Sequence, residues 1–432
     1  MAGRFFTPSK LRPVMPFSSL GLVPSLVRAA ADSGYTKPTA IQSAAIPVIL
    51  RGGDVIGAAQ TGSGKTAAFA LPLLQLLLDG SSGARVTRAL ILVPTRELAA
   101  QVGTAVETFA RNALAPLKVA TLFGGVSINP QMMSLRGGAD IVVATPGRLL
   151  DLIDHNALKL SDVKLLVLDE ADRLLDLGFT DEIGRILALL PKRRQSLFFS
   201  ATFPAEVQAL ADAMLREPVR IEIEAAPASA PDILQRAIEV DPLRRTMLLR
   251  HLLLEHKWPR VLVFVATKYA AEHVADKLQR NGFHAGALHG EFSQGTRTQV
   301  LAEFKAGLLQ VLVCTDLAAR GIDIVQLPAV VNYDLPRSAV DYTHRIGRTG
   351  RAGESGVAVS FVSFDTEAHF RLIEKRQNAL IPREQIAGFE PVLTAAPVGA
   401  LVTDTVNGGV KGKRKSKKDK LREAAAAKAG GE

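Results

Sequence analysis

The tetrapeptide Asp169-Glu170-Ala171-Asp172 directly follows the apolar run Leu165–Leu168. An apolar run that delivers acids is how a buried parallel strand presents carboxylates at its C-terminal end. Upstream, Ala59-Gln60-Thr61-Gly62-Ser63-Gly64-Lys65-Thr66 reads as a phosphate loop between an apolar strand and a helix. Gly62 and Gly64 let backbone amides crowd around phosphate, and the helix N-terminus adds partial positive charge. Lys65 supplies a point charge to β/γ oxygens and Thr66 a hydroxyl to magnesium. Ala59 stands where the strict pattern has its first glycine, so the loop is a variant. In this pairing Asp169 would hold the magnesium and Glu170 would polarise an attacking water, a task for a carboxylate rather than an amide. The two elements together predict nucleotide hydrolysis.

Such a site needs a rigid sheet to hold it, and the chain has the material for two. Its 432 residues exceed what one hydrophobic core usually supports. Hydrophobic residues make up 47% and charged residues 22%, an ordinary globular balance. No apolar stretch reaches the ~18 residues of a membrane span, and Met1–Lys10 lacks the apolar core of a secretory signal. The single cysteine, Cys314, excludes an intramolecular disulfide and fits a reducing cytoplasm. Its apolar setting, Val311-Leu312-Val313-Cys314, predicts a buried structural thiol.

Short Val/Ile/Leu runs alternate with longer amphipathic segments, the pattern of parallel sheets covered by helices. Strands are predicted at 54–57, 89–93, 118–122, 140–143, 165–168 and 196–199, then at 237–240, 260–265, 286–288, 310–313, 329–333 and 357–362. Between the sets, Ala225–Pro231 is small and proline-interrupted, a linker. The reading is α/β: a lead-in over 1–16, one domain over 17–224, a second over 232–380 and a tail over 381–432. The net charge is +10, and residues 391–432 carry half of it, nine Lys or Arg against four acids. A polyanionic partner follows, although charge alone leaves RNA, DNA and lipid open. The block Lys411–Lys418 is expected to be disordered when free and to tether RNA nonspecifically.

The order of Ala59–Thr66, Asp169–Asp172, Ser200-Ala201-Thr202 and His344-Arg345-Ile346-Gly347-Arg348-Thr349-Gly350-Arg351 resembles the DEAD-box ATP-dependent RNA helicases. Gly34-Tyr35, Pro38-Thr39 and Ile41-Gln42, with Phe17 upstream, are similar to that family's adenine-reading motif. Phe123–Pro130 and the short lead-in resemble the bacterial RhlE-type subgroup. The resemblance implies two tandem RecA-like domains using ATP and Mg²⁺. It makes Phe17, Gln42 and Thr61–Thr66 ATP contacts, Asp323 a ribose contact, and Arg348 and Arg351 arginine fingers, on one face if the segment is helical. Asp172, Ser200, Thr202 and His344 would couple the domains. Arg96, Gly125, Thr145 and Arg148 in the first domain, and Thr267, Arg297 and Thr315 in the second, would contact RNA, mostly at its backbone. The implied activity is RNA-gated ATP hydrolysis driving local, non-processive unwinding in the cytoplasm. A nonenzymatic RNA clamp and a DNA motor of the same superfamily are the competing readings.

Overall fold

The computed structural model describes residues 5–6, 16–59, 62–78, 85–111, 117–223, 233–319, 324, 326–350 and 355–392. The linker, the basic block, Thr61, Asp323 and Arg351 lie outside them.

The strands of the first half are β1 Phe5–Phe6, β2 Val55–Ala58, β3 Ala89–Leu92, β4 Val119–Leu122, β5 Ile141–Ala144, β6 Leu165–Leu168, β7 Gln195–Ser200 and β8 Val219–Glu222. They form one parallel sheet of eight strands, in the order β1-β8-β2-β7-β6-β3-β5-β4. Those of the second half are β9 Ile233–Glu239, β10 Val261–Val265, β11 Ala285–Leu288, β12 Val311–Thr315, β13 Ala329–Asn332, β14 Gly356–Val362 and β15 Arg383–Glu384. These give a second parallel sheet of seven strands, β11-β12-β10-β13-β14-β9-β15.

The apolar runs are continuous because both faces of each sheet are covered. In the first sheet Ile91, Val143 and Val167 enter one buried cluster, while their neighbours Leu92, Val142 and Leu166 enter the other. In the second, Val261, Val263 and Val265 face one way and Leu262 and Phe264 the other. Cys314 is fully buried beside the latter pair, and burial pushes its thiol far above the ordinary range.

Each strand predicted from the sequence is present, with ends displaced by a few residues. β1, β8 and β15 are additional. β15 carries the fold past residue 380, where the sequence pattern fades. Arg383 lies opposite Ala237, and Phe389 packs on the second core. Two residues of strand are too short to show a period-two signal.

Strand order positions the site. β2, β7 and β6 are neighbours, and their C-terminal ends lead into the phosphate loop, Ser200–Thr202 and Asp169–Asp172. β3, β5 and β4 are the next three, leading into Arg96, Thr145–Arg148 and Gly124-Gly125. One edge of one sheet therefore sorts the two sets of motifs into adjacent halves, outside the carboxyl ends of the strands where open α/β sheets bind ligands.

Candidate active site

The phosphate loop is shaped by its glycines and braced by Gln42. Gly62 and Gly64 have φ of 81° and 90°, in the left-handed region. A Cβ on Gly64 would lie 2.5 Å from Gln42 Nε2. That nitrogen donates to Gly64 O at 3.1 Å, while Gln42 Oε1 accepts from Thr39 N–H at 2.9 Å. Gln42, expected at adenine, is fully buried as an N3 residue of the helix Ala40–Leu50. It retains one N–H and one lone pair for a further partner. Phe17 sits within the first core and is only 4% exposed, so it packs with Leu20 and Leu26 rather than standing free.

Lys65 opens the helix Lys65–Leu78 and is buried, its ammonium donating to Ala59 O at 3.0 Å. Thr66 follows on the same turn, half-buried. Ser63 lies in the turn before it.

At the end of β6, Asp169 is buried and accepts from Glu170 N–H at 3.0 Å. Burial pushes its carboxyl up to about 6, with Lys65 opposing and Glu170 adding. A buried carboxylate driven toward neutrality beside Glu170 and Asp172 is one that a divalent cation would relieve. Glu170 has φ 50° and ψ 53°, a left-handed conformation that costs a non-glycine residue ~1–3 kcal/mol. Its Oε2 is buried and accepts no hydrogen bond. Arg173 Nε lies 3.8 Å away, within ion-pair reach only.

Asp172 joins this turn to the end of β7. Its Oδ2 accepts from Thr202 N–H at 3.0 Å and Thr202 Oγ1 at 2.9 Å. Ser200 Oγ accepts from Asp172 N–H at 3.2 Å and donates to Thr202 O at 2.8 Å. Three of the four residues expected to couple the domains, Asp172, Ser200 and Thr202, thus form one network within the first domain.

The second sheet supplies the other wall. The helix Ala339–Ile346 is pinned by Arg345, which donates to both oxygens of Asp316 at 2.6 and 2.7 Å and lies over Phe264 at 4.8 Å. Pinning Arg345 inward directs His344 and Arg348 toward the cleft. The helix ends at Ile346, so Arg348 lies beyond it, and Arg351 lies outside the described residues. Leu327 N–H donates to Arg348 O at 3.1 Å, and Thr349 Oγ1 to Leu327 O, which draws the chain toward the sheet instead. Arg348 and His344 line a small cavity that Arg173 of the first domain enters.

His344 Nδ1 is buried without a hydrogen bond. Burial pushes the imidazole down to about 3, with Arg173 and Arg348 adding to the effect and Asp172 and Asp341 opposing it. The charges of Arg173 and Asp172 act on it from the other domain. A depressed histidine favours the packed state above its ordinary pKa of 6.5, and the contribution is lost as pH falls from there toward 3. The closed fraction, read by fluorescence transfer between dyes on the two domains, should therefore fall as pH is lowered from 7 to about 5. His344→Asn should flatten that dependence.

The predicted RNA contacts fall at strand ends or in the helices that follow them, and their side chains are used unequally. Arg96 lies over Gly125, where a Cβ would meet its guanidinium. Arg148 Nη2 donates to Val126 O at 2.7 Å, tying the turns after β4 and β5 together. Thr145 is buried. Thr267 caps its helix, its Oγ1 accepting from Ala270 N–H at 3.1 Å, and Thr315 is half-buried at the end of β12. Arg297 faces the first domain: it is buried against Glu97, with Nε and Nη2 at 2.8 and 2.7 Å from Oε1. Glu97 belongs to the stretch Pro94–Leu98, which resembles an RNA-contacting motif of the family, and Arg173 belongs to no motif. Arg173's place three residues after Glu170 was the signal available for it.

A phosphate loop, an acidic strand end and basic residues brought from a second sheet define a two-domain α/β protein whose candidate nucleotide site is shared between the domains. Residues 39–210 match the DEAD/DEAH box helicase family and 244–353 the helicase conserved C-terminal domain. The chain is 42% identical over 381 residues to the ATP-dependent RNA helicase DeaD of Mycobacterium tuberculosis, across 88% of this chain and 66% of that one. It is 42% identical over 363 residues to the ATP-dependent rRNA helicase RRP3 of Gibberella zeae, across 83% and 74%. The structure of S. cerevisiae Dbp5 bound to RNA and ADP BeF3 superposes with a TM-score of 0.76 at 31% identity, covering 86% of this chain and 95% of that one. The chain belongs to the DEAD/DEAH box helicase family. It spans just under two thirds of the length of the DeaD relatives it matches.

Proposed function

We propose that the protein is an ATP-dependent RNA helicase in which RNA-stimulated hydrolysis of ATP to ADP and phosphate drives local, non-processive duplex separation. One observation carries this reading: Glu170, whose Oε2 accepts no hydrogen bond, belongs to the first domain, and His344 and Arg348, which share a cavity with Arg173 of that domain, belong to the second. A site assembled from two domains works only when they close, and a ligand that lies across both controls closure. The strand-end residues from Arg96 to Arg148 and from Thr267 to Thr315 suit a sugar–phosphate backbone as that ligand, bound largely without regard to sequence. The names of the DeaD and RRP3 relatives support RNA as the substrate.

Lys65 would meet the β/γ-phosphates, Gln42 the adenine edge, and Asp169 with Thr66 the magnesium ion. Bound magnesium supplies charge neutralisation on the phosphates. Glu170 takes the proton of the attacking water, and Arg348 and Arg351 stabilise charge on the transferred phosphoryl group. Phe123–Pro130 supports a place near the RhlE-type subgroup. The buried lone cysteine supports a cytoplasmic setting.

ATP hydrolysis measured with no nucleic acid, single-stranded RNA and matched DNA tests this. RNA should stimulate turnover strongly. Equal or greater stimulation by DNA would overturn the substrate, and no hydrolysis with RNA would leave a nonenzymatic clamp.

A further inference from the structure

Arg173 is the first-domain residue in a cavity otherwise lined by the second domain. It is 5% exposed, and Asp316, Asp341, His344 and Arg348 share the cavity with it. On its other side stands Glu170, three residues back on the short helix Ala171–Asp176. Glu170 Oε2 is buried and accepts no hydrogen bond, and the charge facing it is the Arg173 guanidinium, with Nε at 3.8 Å. An uncompensated carboxylate oxygen in a dry site is costly unless something holds it. A backbone fixed at φ 50° leaves the Glu170 side chain few ways to turn.

We propose that Arg173 is a positioning residue for hydrolysis. Its guanidinium holds Oε2 of Glu170 and so fixes the carboxylate plane with Oε1 left to take the proton of the attacking water, and it does so effectively only while the second domain covers it. Closure strips water from Arg173. The attraction between two charges about 4 Å apart strengthens severalfold when the surrounding dielectric falls from that of water to that of a protein interior. The carboxylate is then aligned at the moment Arg348 arrives. Arg173 is not itself a contact to ATP; it links domain closure to the aim of the base.

This inference rests on the proposed ATP hydrolysis, so the wild-type full chain is assayed in parallel with saturating single-stranded RNA. Arg173→Gln should lower kcat by about ten- to a hundredfold and leave KM for ATP within about twofold. Arg173→Lys, which keeps the charge, should recover most of the loss. In single-turnover measurements the pair Glu170→Gln and Arg173→Gln should lose no more together than Glu170→Gln alone, because both act through one carboxylate. Binding of a nonhydrolysable ATP analogue reports folding of each variant. An inactive wild type would overturn the proposed function, and this inference with it. An active wild type with Arg173→Gln at full kcat, or with losses that add to those of Glu170→Gln, would overturn the role of Arg173 alone.

Discussion

Glu170→Gln should reduce RNA-stimulated ATP turnover by about 10²–10⁴-fold while leaving ATP binding nearly unchanged. The magnitude is that of a positioned general base. The substitution keeps the shape of the side chain and removes its capacity to take a proton. The groups proposed to hold the nucleotide are untouched: Lys65 donates to Ala59 O, Gln42 braces Gly64, and Asp169 keeps the Glu170 N–H, which is backbone. The left-handed backbone at Glu170 suits Gln no worse than Glu. In the proposed cycle closure precedes hydrolysis, so the variant should accumulate closed, with ATP and RNA bound and release of RNA slowed. Single-turnover hydrolysis and RNA dissociation rates measure the two effects. Unchanged steady-state turnover would remove Glu170 from the reaction.

The sheets were legible because each buried parallel strand is a short apolar run, and the helices between them are longer and amphipathic. β1, β8 and β15 escaped for a physical reason. β1 and β15 are two-residue edge strands, and β8 lies beside the edge and is half polar, so none carries a continuous apolar run. Motifs mark the residues proposed to meet ligand, since phosphate and metal chemistry demand particular side chains at fixed spacings. They did not give the residues that meet one another. The bond from Gln42 to Gly64 crosses 22 positions, and that from Arg297 to Glu97 crosses 200. No periodicity or local spacing announces contacts of that range. The stop of the helix after Ile346 is likewise tertiary, set by Thr349 and Leu327 rather than by a local breaker alone.

The Arg297–Glu97 pair separates two readings of the same arginine. As an RNA contact, Arg297 would lend one charge to a phosphate; its removal would weaken RNA binding, lower the salt slope by about one, and leave Glu97 irrelevant. The structure engages it otherwise. Both side chains are more than nine-tenths buried, and the remaining donors of Arg297 reach His289 O at 3.0 Å and Ala318 O at 3.4 Å. Removing one partner of a buried pair strands the other charge and costs ~3–5 kcal/mol. Here the chain can escape that cost by opening, since separated domains return both groups to water. The penalty should fall on closure and not on unfolding. Arg297→Ala and Glu97→Ala should each lower RNA-stimulated kcat/KM by about 10²-fold or more, with melting temperatures of the separate transitions little changed. The double variant should recover part of the loss, because neither charge is then left alone. Steady-state kinetics over the four proteins of this cycle decide it. Additive losses, or a silent Glu97→Ala, would return Arg297 to the RNA surface.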